Sequence, residues 1–373
     1  MKIAFLIKEI GTGAGQTTSL GEIIGYLLSS HSDWSFSVFT NKVDYPIVEE
    51  MNDPRVSITK VDGYYRSMIF KSKLAAELKE YDVLYIKGNY PYVFPAMKSG
   101  QPTILVVHQI DSPKLFNGLI PKLKIFASNL LTGHVLKKTD VVVTVTDELG
   151  SFYEKKFRLK VKVIPDLISD ISFASPQRND PDRNQEIRLL TVGGWDGPNG
   201  RKRHDVLLRY YADAIKIQPK LRISMVGLSK NNLEELSKIC NDLQLNDYVT
   251  LKGSLGKKEL VEEFINNHIY VTATTYEGFY RQIVEGFATG MPALVYDSRK
   301  IIKEPSSCAS ANHVLKSGAG ELFSDSNSFI AALGKILANY RDYSRKAKIY
   351  SELFTGEVVG VQTERLLESM ASK

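Results

Sequence analysis

Along the first half of the chain, short apolar runs alternate with longer segments whose apolar residues recur at i, i+3 or i+4. The runs at 3–7, 36–40, 56–61, 83–87, 104–108 and 141–145 read as buried strands, and segments such as 20–28 and 74–78 as helix faces. A polar stretch at 175–187, SPQRNDPDRNQEI, then breaks the pattern and reads as an interdomain linker. The alternation restarts with runs at 189–192, 223–226, 249–251, 269–271 and 293–296. Strands alternating with helices predict an α/β protein with mainly parallel sheets covered on both faces. Two such halves predict two doubly wound, Rossmann-like domains facing a central cleft. The expected boundaries are 1–166 for the first domain, 167–187 for the linker and 188–355 for the second. A C-terminal helix at about 356–373 is expected to pack back on the first domain.

Composition narrows the class. At 373 residues, 43% hydrophobic and 24% charged, the chain is long enough for two domains, each with its own core. No apolar run approaches the roughly 20 residues of a transmembrane helix. The start, MKIAFLIKEIGTG, does not read as a signal peptide, because Lys8 and Glu9 interrupt a short apolar run. Two cysteines, Cys240 and Cys308, with no CxxC spacing, speak against a disulfide framework or a Cys-built zinc site. A cytoplasmic location is the expectation. The net charge of +6 is modest and too diffuse for a nucleic-acid partner.

The most informative stretch is Glu277 to Pro292, EGFYRQIVEGFATGMP. It follows an apolar strand run, turns at Gly278, continues with Ile283, Val284, Phe287 and Ala288 at helical spacing, and stops at Gly290-Met291-Pro292. The free N–H groups at such a helix start favour an anion or a hydroxyl. Glu277 and Glu285 lie two helical turns apart, about 12 Å at ~1.5 Å per residue. That is too far to share a proton, yet close enough to line one elongated ligand.

This segment resembles the E-x7-E element of retaining glycosyltransferases of the GT-B type, in the large family 4 whose usual form is EGFGLPxxEAMAxGxPV. Glu277, Gly278, Phe279, Glu285, Ala288, Gly290 and Pro292 match that form, while Tyr280 stands at the second Gly and Arg281-Gln282 at Leu-Pro. The resemblance implies that Glu277 contacts the donor sugar and Glu285 the ribose. Other segments match the family in order. The loop Gly11-Thr-Gly-Ala-Gly-Gln-Thr17 lacks the Lys-Ser/Thr of a P-loop and the acidic residue of a dinucleotide fingerprint. In the family this loop faces the donor phosphates, which makes Gly13 and Gly15 the candidates. His108 ends a strand run where the family commonly has a His-Asp pair near the donor sugar; Asp111 is a weaker candidate. Val163-Ile-Pro-Asp166 resembles the family's V-I-P-N-G-V-D hinge and departs from it at Asp166, so it speaks for a boundary more than for a contact.

The second half opens with a strand, a Gly-rich loop and the basic cluster Arg201-Lys202-Arg203. Cations on such a loop hold a diphosphate without a metal. The family form is roughly VGR…KGxDxLL. Lys202, Asp205, Leu207 and Leu208 match it, whereas Gly194 replaces the phosphate-binding Arg, and either Arg201 or Arg203 is the substitute. The strand and turn at 249–255 resemble the segment whose backbone contacts the base. Asp180-Pro-Asp182 formally matches the DxD of the other glycosyltransferase fold, but it follows no strand and reads as chance.

The expected function is metal-independent transfer of a sugar, with retention, from a nucleoside diphosphate sugar to an acceptor hydroxyl on a lipid-linked molecule or a glycan. Glu277, His108 and Lys202 are the expected catalytic residues. Gly13, Gly15, Arg201, Arg203, Gly278, Phe279, Tyr280 and Glu285 are the expected substrate contacts, and no metal or cofactor is expected. Two alternatives remain open: another GT-B enzyme such as a nucleotide-sugar epimerase or phosphorylase, or a catalytically silent binding subunit, which Gly194 and Tyr280 would favour. Basic and bulky apolar residues interleave at 63–73 and 113–126, which adds the expectation of peripheral docking on an anionic membrane surface.

Overall fold

The computed structural model describes residues 1–11, 15–44, 49–62, 72–88, 90–108, 132–168, 172–173, 178, 180–182, 185–198, 200–301 and 308–373. The chain divides into two compact units, residues 1–167 with 356–373 and residues 168–355.

Unit 1 is built on β1 (Lys2–Ile10), β2 (Ser35–Val43), β3 (Val56–Lys60), β4 (Val83–Lys87), β5 (Thr103–Val107), β6 (Val141–Thr144) and β7 (Val161–Val163). Their spatial order is β3-β2-β1-β4-β5-β6-β7, and every pair is parallel. Strand β1 is the switch point: Ile3 pairs with Phe36 of β2 on one side and Val83 of β4 on the other. Helices α1 (Gly15–Ser30), α2 (Ser72–Glu77), α3 (Val93–Ser99) and α4 (Asp147–Phe157) cover the strands. The start of α4 shows how the sequence sets its ends: the Thr146 hydroxyl accepts from the Leu149 N–H at 3.3 Å, and Asp147 and Glu148 lie in the positive first turn.

Unit 2 repeats the plan with β8 (Ile187–Val192), β9 (Leu221–Val226), β10 (Val249–Leu251), β11 (Ile269–Thr272), β12 (Ala293–Tyr296) and β13 (Gly320–Phe323), in the order β10-β9-β8-β11-β12-β13. Its helices are α5 (His204–Ile217), α6 (Lys230–Asp242), α7 (Lys257–Asn266), α8 (Arg281–Ala288), α9 (Ala309–Ser317), α10 (Ser326–Ala338) and α11 (Tyr340–Ser351). Period-2 alternation along the strands feeds two cores. Leu189, Ile223, Val271 and Leu294 pack with Leu207, Leu236 and Phe329 on one face; Leu190, Tyr270, Ala293 and Val295 pack with Ile283, Phe287 and Ala347 on the other. Both faces are covered, so these strands read as unbroken apolar runs.

Helix α12 (Val361–Ala371) belongs to unit 1, where Glu364 takes hydrogen bonds or ion pairs from Tyr26 (3.1 Å) and His31 (2.9 Å) beside α1. A Cβ on Gly360 would meet the Tyr26 ring at 2.7 Å, so that close approach requires glycine.

The α/β class with two parallel sheets is the one the hydrophobic pattern predicts. Two strands escape that pattern, β7 with the residues VKV and β13 with GELF. Both lie at a sheet edge, where one flank has no neighbouring strand and polar residues are tolerated. Part of the polar run at 175–187 is also docked: the Arg178 guanidinium donates to the carbonyls of Thr289 (2.7 Å), Asn267 and Phe264 in unit 2. No helix among the described residues is long and apolar enough to cross a membrane.

Candidate functional site

In a doubly wound sheet, ligands gather outside the carboxyl ends of the strands where the strand order reverses. In unit 2 that place lies between β8 and β11, which pair directly through Leu189 and Ile269. The loops leaving these two strands are latched together. Asp196 accepts from the backbone N–H of Arg201 (3.0 Å) and of Lys202 (3.2 Å) and so folds the β8 loop back on itself. The carbonyl of Arg201 in turn accepts from the Thr275 backbone N–H (2.8 Å) and hydroxyl (3.2 Å) in the β11 loop. Asn232 clamps the backbone of Trp195 from the other side, at 3.1 and 2.8 Å.

These latches bring Glu277, Arg201 and Lys202 together. One oxygen of Glu277 lies 2.9 Å from the Lys202 ammonium, and the other 2.8 Å from the Arg201 guanidinium. Lys202 is only 6% exposed. Burial pulls its ammonium down, but the Glu277 carboxylate and then Tyr280 outweigh it, so its pKa lies above the ordinary lysine value and it remains a cation. Gly193, at φ 129, makes room for it: a Cβ there would come within 3.2 Å of the Lys202 chain.

Tyr280 is the unexpected member. The tight turn before α8 does not use a left-handed glycine at 278; the left-handed residue is Tyr280, at φ 61. A bulky side chain is strained there, at a cost of about 1–3 kcal/mol. Its contacts compensate. The ring lies 4.2 Å beneath the Lys202 ammonium, and the hydroxyl joins those of Tyr270 (3.1 Å), Thr272 (2.8 Å) and Thr274 (3.1 Å). Tyr280 is 3% exposed and Phe279 is also buried, so both shape the site from beneath. Helix α8 ends as its sequence predicts, with Gly290 at φ 73, its N–H on the Phe287 carbonyl and the Met291 N–H on that of Gly286.

Glu285 does not join Glu277. It pairs with Arg281 one turn away, at 2.7 Å. Arg203 takes a left-handed conformation (φ 49) at the start of α5 and stands near Tyr296, so of the two arginines Arg201 is the one on Glu277. Two buried histidines that the sequence reading passed over hold the site's backbone. His204 donates from Nε2 to the Gly193 carbonyl (2.9 Å), and His313 donates to the Phe279 carbonyl. Burial pushes each down to about 4, so both rings are neutral at pH 7.

Unit 1 has its own cluster at its own switch point. His108, just past β5, contacts Asp166 from Nε2 at 3.3 Å. The same carboxylate oxygen accepts from Ser19 on α1 and from Lys87 at the end of β4 (3.3 Å), and Lys87 also donates to Ser19 at 2.5 Å. Asp166 therefore makes contacts that its reading as a hinge residue did not foresee. Burial would push its carboxyl up; the Lys87 ammonium, the His108 ring and the Ser19 hydroxyl together hold it well below the usual carboxylate range. Gly15 opens α1, with nothing near a Cβ placed on it. Gly13, Asp111 and the 113–126 segment lie outside the described residues, as does 63–71 of the other basic-apolar segment. Among the described residues, one His/carboxylate group comes close enough to share a cation: His31, Glu364 and Glu368, within 4.8 Å of one another. It ties α12 to the end of α1, and two of its members already pair.

Residues 182–346, within unit 2, match the glycosyl transferases group 1 family. Over 160 residues the chain is 24% identical to the GtfA subunit of the Streptococcus parasanguinis UDP-N-acetylglucosamine–peptide N-acetylglucosaminyltransferase. That match spans 43% of this chain and 31% of the relative, so less than a third of the relative's length is represented. Among solved structures, the chain resembles sucrose-phosphate synthase from Thermosynechococcus elongatus (TM-score 0.79, 16% identity, covering 100% of this chain and 99% of that one). It also resembles Anabaena HepE in complex with UDP and glucose (TM-score 0.75, 17% identity, covering 99% and 100%).

Proposed function

We propose that the protein is a retaining glycosyltransferase that takes a sugar from a nucleoside diphosphate sugar, with UDP-sugars the first donors to test. The observation that carries this reading is the Lys202–Glu277–Arg201 cluster at the β8/β11 switch point, within the segment that matches the family. A diphosphate leaving group gathers negative charge as the glycosidic bond breaks, and fixed cations lower that barrier. Lys202 and Arg201 supply the cations, and Glu277, held at a set place by both, orients sugar hydroxyls. Glu285 takes the ribose hydroxyls. The transition state is oxocarbenium-like and the leaving phosphate accepts the acceptor's proton, so no side-chain nucleophile is needed. With cations in place of a metal, EDTA leaves activity unchanged. UDP in HepE and the UDP-sugar in the name of the GtfA relative support a uridine donor. The acceptor is a hydroxyl on a glycan or a lipid-linked molecule; in the second case flotation with anionic liposomes at low salt recovers the protein in the lipid fraction.

A thermal-shift panel of UDP, GDP, ADP and their sugars tests the donor. A ligand at 100 times its Kd stabilises by about 2.7 kcal/mol, and release of nucleotide from the stabilising sugar nucleotide confirms turnover. No shift with any of them, or activity that EDTA abolishes and magnesium restores, overturns the reading.

A further inference from the structure

We propose that Asp166 is a positioning residue for His108: it fixes the ring as the Nε2–H tautomer, so that Nδ1 is an acceptor for a substrate hydroxyl. This rests on the transferase reading and on the expectation, implied by the family resemblance, that His108 meets a hydroxyl of the donor sugar.

The geometry assigns the proton. The Asp166 oxygen that faces His108 Nε2 at 3.3 Å also receives Ser19 and Lys87. An ionised carboxylate only accepts, so Nε2 must donate. Lys87 is 1% exposed and balances the charge of Asp166, so the carboxylate does not need a protonated imidazole to neutralise it. In the neutral ring the other nitrogen, Nδ1, is then an acceptor. It is shielded from water and has no partner among the described residues. A buried polar atom of this kind calls for a partner, and a substrate hydroxyl is one that donates.

The arrangement has an internal logic. Ser19 comes from α1, which follows β1; Lys87 ends β4; His108 follows β5; and Asp166 follows β7. Strands β1 and β4 flank the point where the strand order reverses, the place where such sheets bind ligands. Asp166, after β7, reaches Lys87 and Ser19 there, and His108, after β5, reaches Asp166. A buried lysine and aspartate there hold one imidazole in one orientation and one tautomer.

Removing Asp166 alone would strand a buried ammonium and endanger the fold, so the test uses two charge-balanced pairs. Lys87→Met with Asp166→Asn keeps an acceptor for Nε2–H; Lys87→Met with Asp166→Leu removes it. Nitrogen-15 NMR of the histidine rings, with His108 assigned from a His108→Gln protein, reads the tautomer without any substrate. The wild type and the Asn pair are expected to show Nε2–H, and the Leu pair a mixture. If the protein turns over a sugar nucleotide, the Leu pair should lose roughly 10- to 100-fold in kcat, the range known for loss of the partner that orients a metal-bound histidine, with donor KM unchanged. The Asn pair should stay within a few-fold of wild type. An Nδ1–H tautomer in the wild type, or a Leu pair that keeps both tautomer and kcat, overturns the proposal. A protein inactive with every donor whose spectra follow the expected pattern overturns the transferase reading and leaves the positioning role standing.

Discussion

In unit 2 the Glu277 carboxylate divides its oxygens between two cations, Lys202 and Arg201, one buried and one partly open to water. In unit 1 a single oxygen of Asp166 gathers a lysine, a serine and a histidine, all mostly buried. Both clusters sit at the reversal of strand order, and each is built around a buried lysine. The difference lies in what happens when one partner leaves. Glu277 keeps a cation if Lys202 goes, and a site with such a reserve can exchange partners with an incoming anion. Among the described residues Asp166 has no arginine in reserve, so its cluster holds one geometry. We read unit 2's cluster as the one that handles charge and unit 1's as the one that fixes a ring.

The largest expected effect follows from that asymmetry. Lys87→Met leaves a buried carboxylate without its main counter-charge and should cost about 3–5 kcal/mol of stability. Lys202→Met leaves Glu277 on Arg201 and should cost clearly less, while weakening diphosphate binding much more than nucleoside binding. Urea unfolding of the two variants, side by side, checks this. Equal losses would mean that the two clusters play the same structural part.

That contrast also explains what the sequence disclosed. The unit 2 carboxylate sits in one contiguous stretch, where strand, turn, helix and Gly290 stop leave a periodic signature from 277 to 292. Fold class was legible for the same reason, because both faces of each parallel sheet demand unbroken apolar runs. The unit 1 cluster is assembled from positions 19, 87, 108 and 166, each a single polar residue beside an apolar run, with separations of 58 to 147 residues between partners. No local pattern records such a meeting. Lys87 looked like the last residue of a strand and Asp166 like an altered hinge. Tyr280 was visible as a departure from the family form, but its left-handed backbone and its place under Lys202 come only from the packing.

Glu277→Gln tests the other side of the comparison. It should lower turnover by ~10- to 1000-fold, equivalent to about 1.4–4 kcal/mol in the transition state, with nucleotide affinity largely kept. Lys202 then lies buried without its carboxylate, so a lower melting temperature should accompany the loss. Steady-state kinetics and a melt on the same preparation separate the two. Unchanged kinetics would remove Glu277 from the reaction.

Acid should separate the clusters by pH. His204 and His313 hold backbone carbonyls of the unit 2 site and have folded pKa values of about 4 against about 6.5 unfolded. The unfolded chain therefore binds more protons in that window, and stability is lost as pH falls from about 6.5 toward 4, by about 2 kcal/mol per histidine at pH 5. Asp166 behaves oppositely in range: its depressed folded pKa stabilises above about pH 4 and that contribution is lost only as pH falls further. Hydrogen-exchange protection should therefore fade at residues 193–204 and 277–281 before it fades at 84–88 and 164–167. Loss in the reverse order would contradict the assignment.

The smallest effect is that of Tyr280→Phe, because the ring and the hydroxyl of Tyr280 do different work. Tyr280→Phe removes the hydroxyl from its group with Tyr270, Thr272 and Thr274, and the Thr272–Thr274 contact at 2.8 Å remains to satisfy those two. A cost of about 1 kcal/mol in stability is expected, with the ring still under Lys202 and turnover within a few-fold. Tyr280→Gly restores the family residue and relieves the left-handed strain, yet it takes away the aromatic face beneath the ammonium, worth about 0.5–2 kcal/mol. Truncating a buried ring also leaves a cavity, so stability should fall by about 3–5 kcal/mol, offset only in part by the relieved strain, and donor affinity should fall with it. The phenylalanine variant, which keeps the ring, therefore isolates the hydroxyl, and the glycine variant, read by donor affinity on folded protein, isolates the ring. If glycine matched tyrosine in donor affinity, the ring would be packing alone, and the charge-handling role of the unit 2 cluster would rest on Lys202 and Arg201 without it.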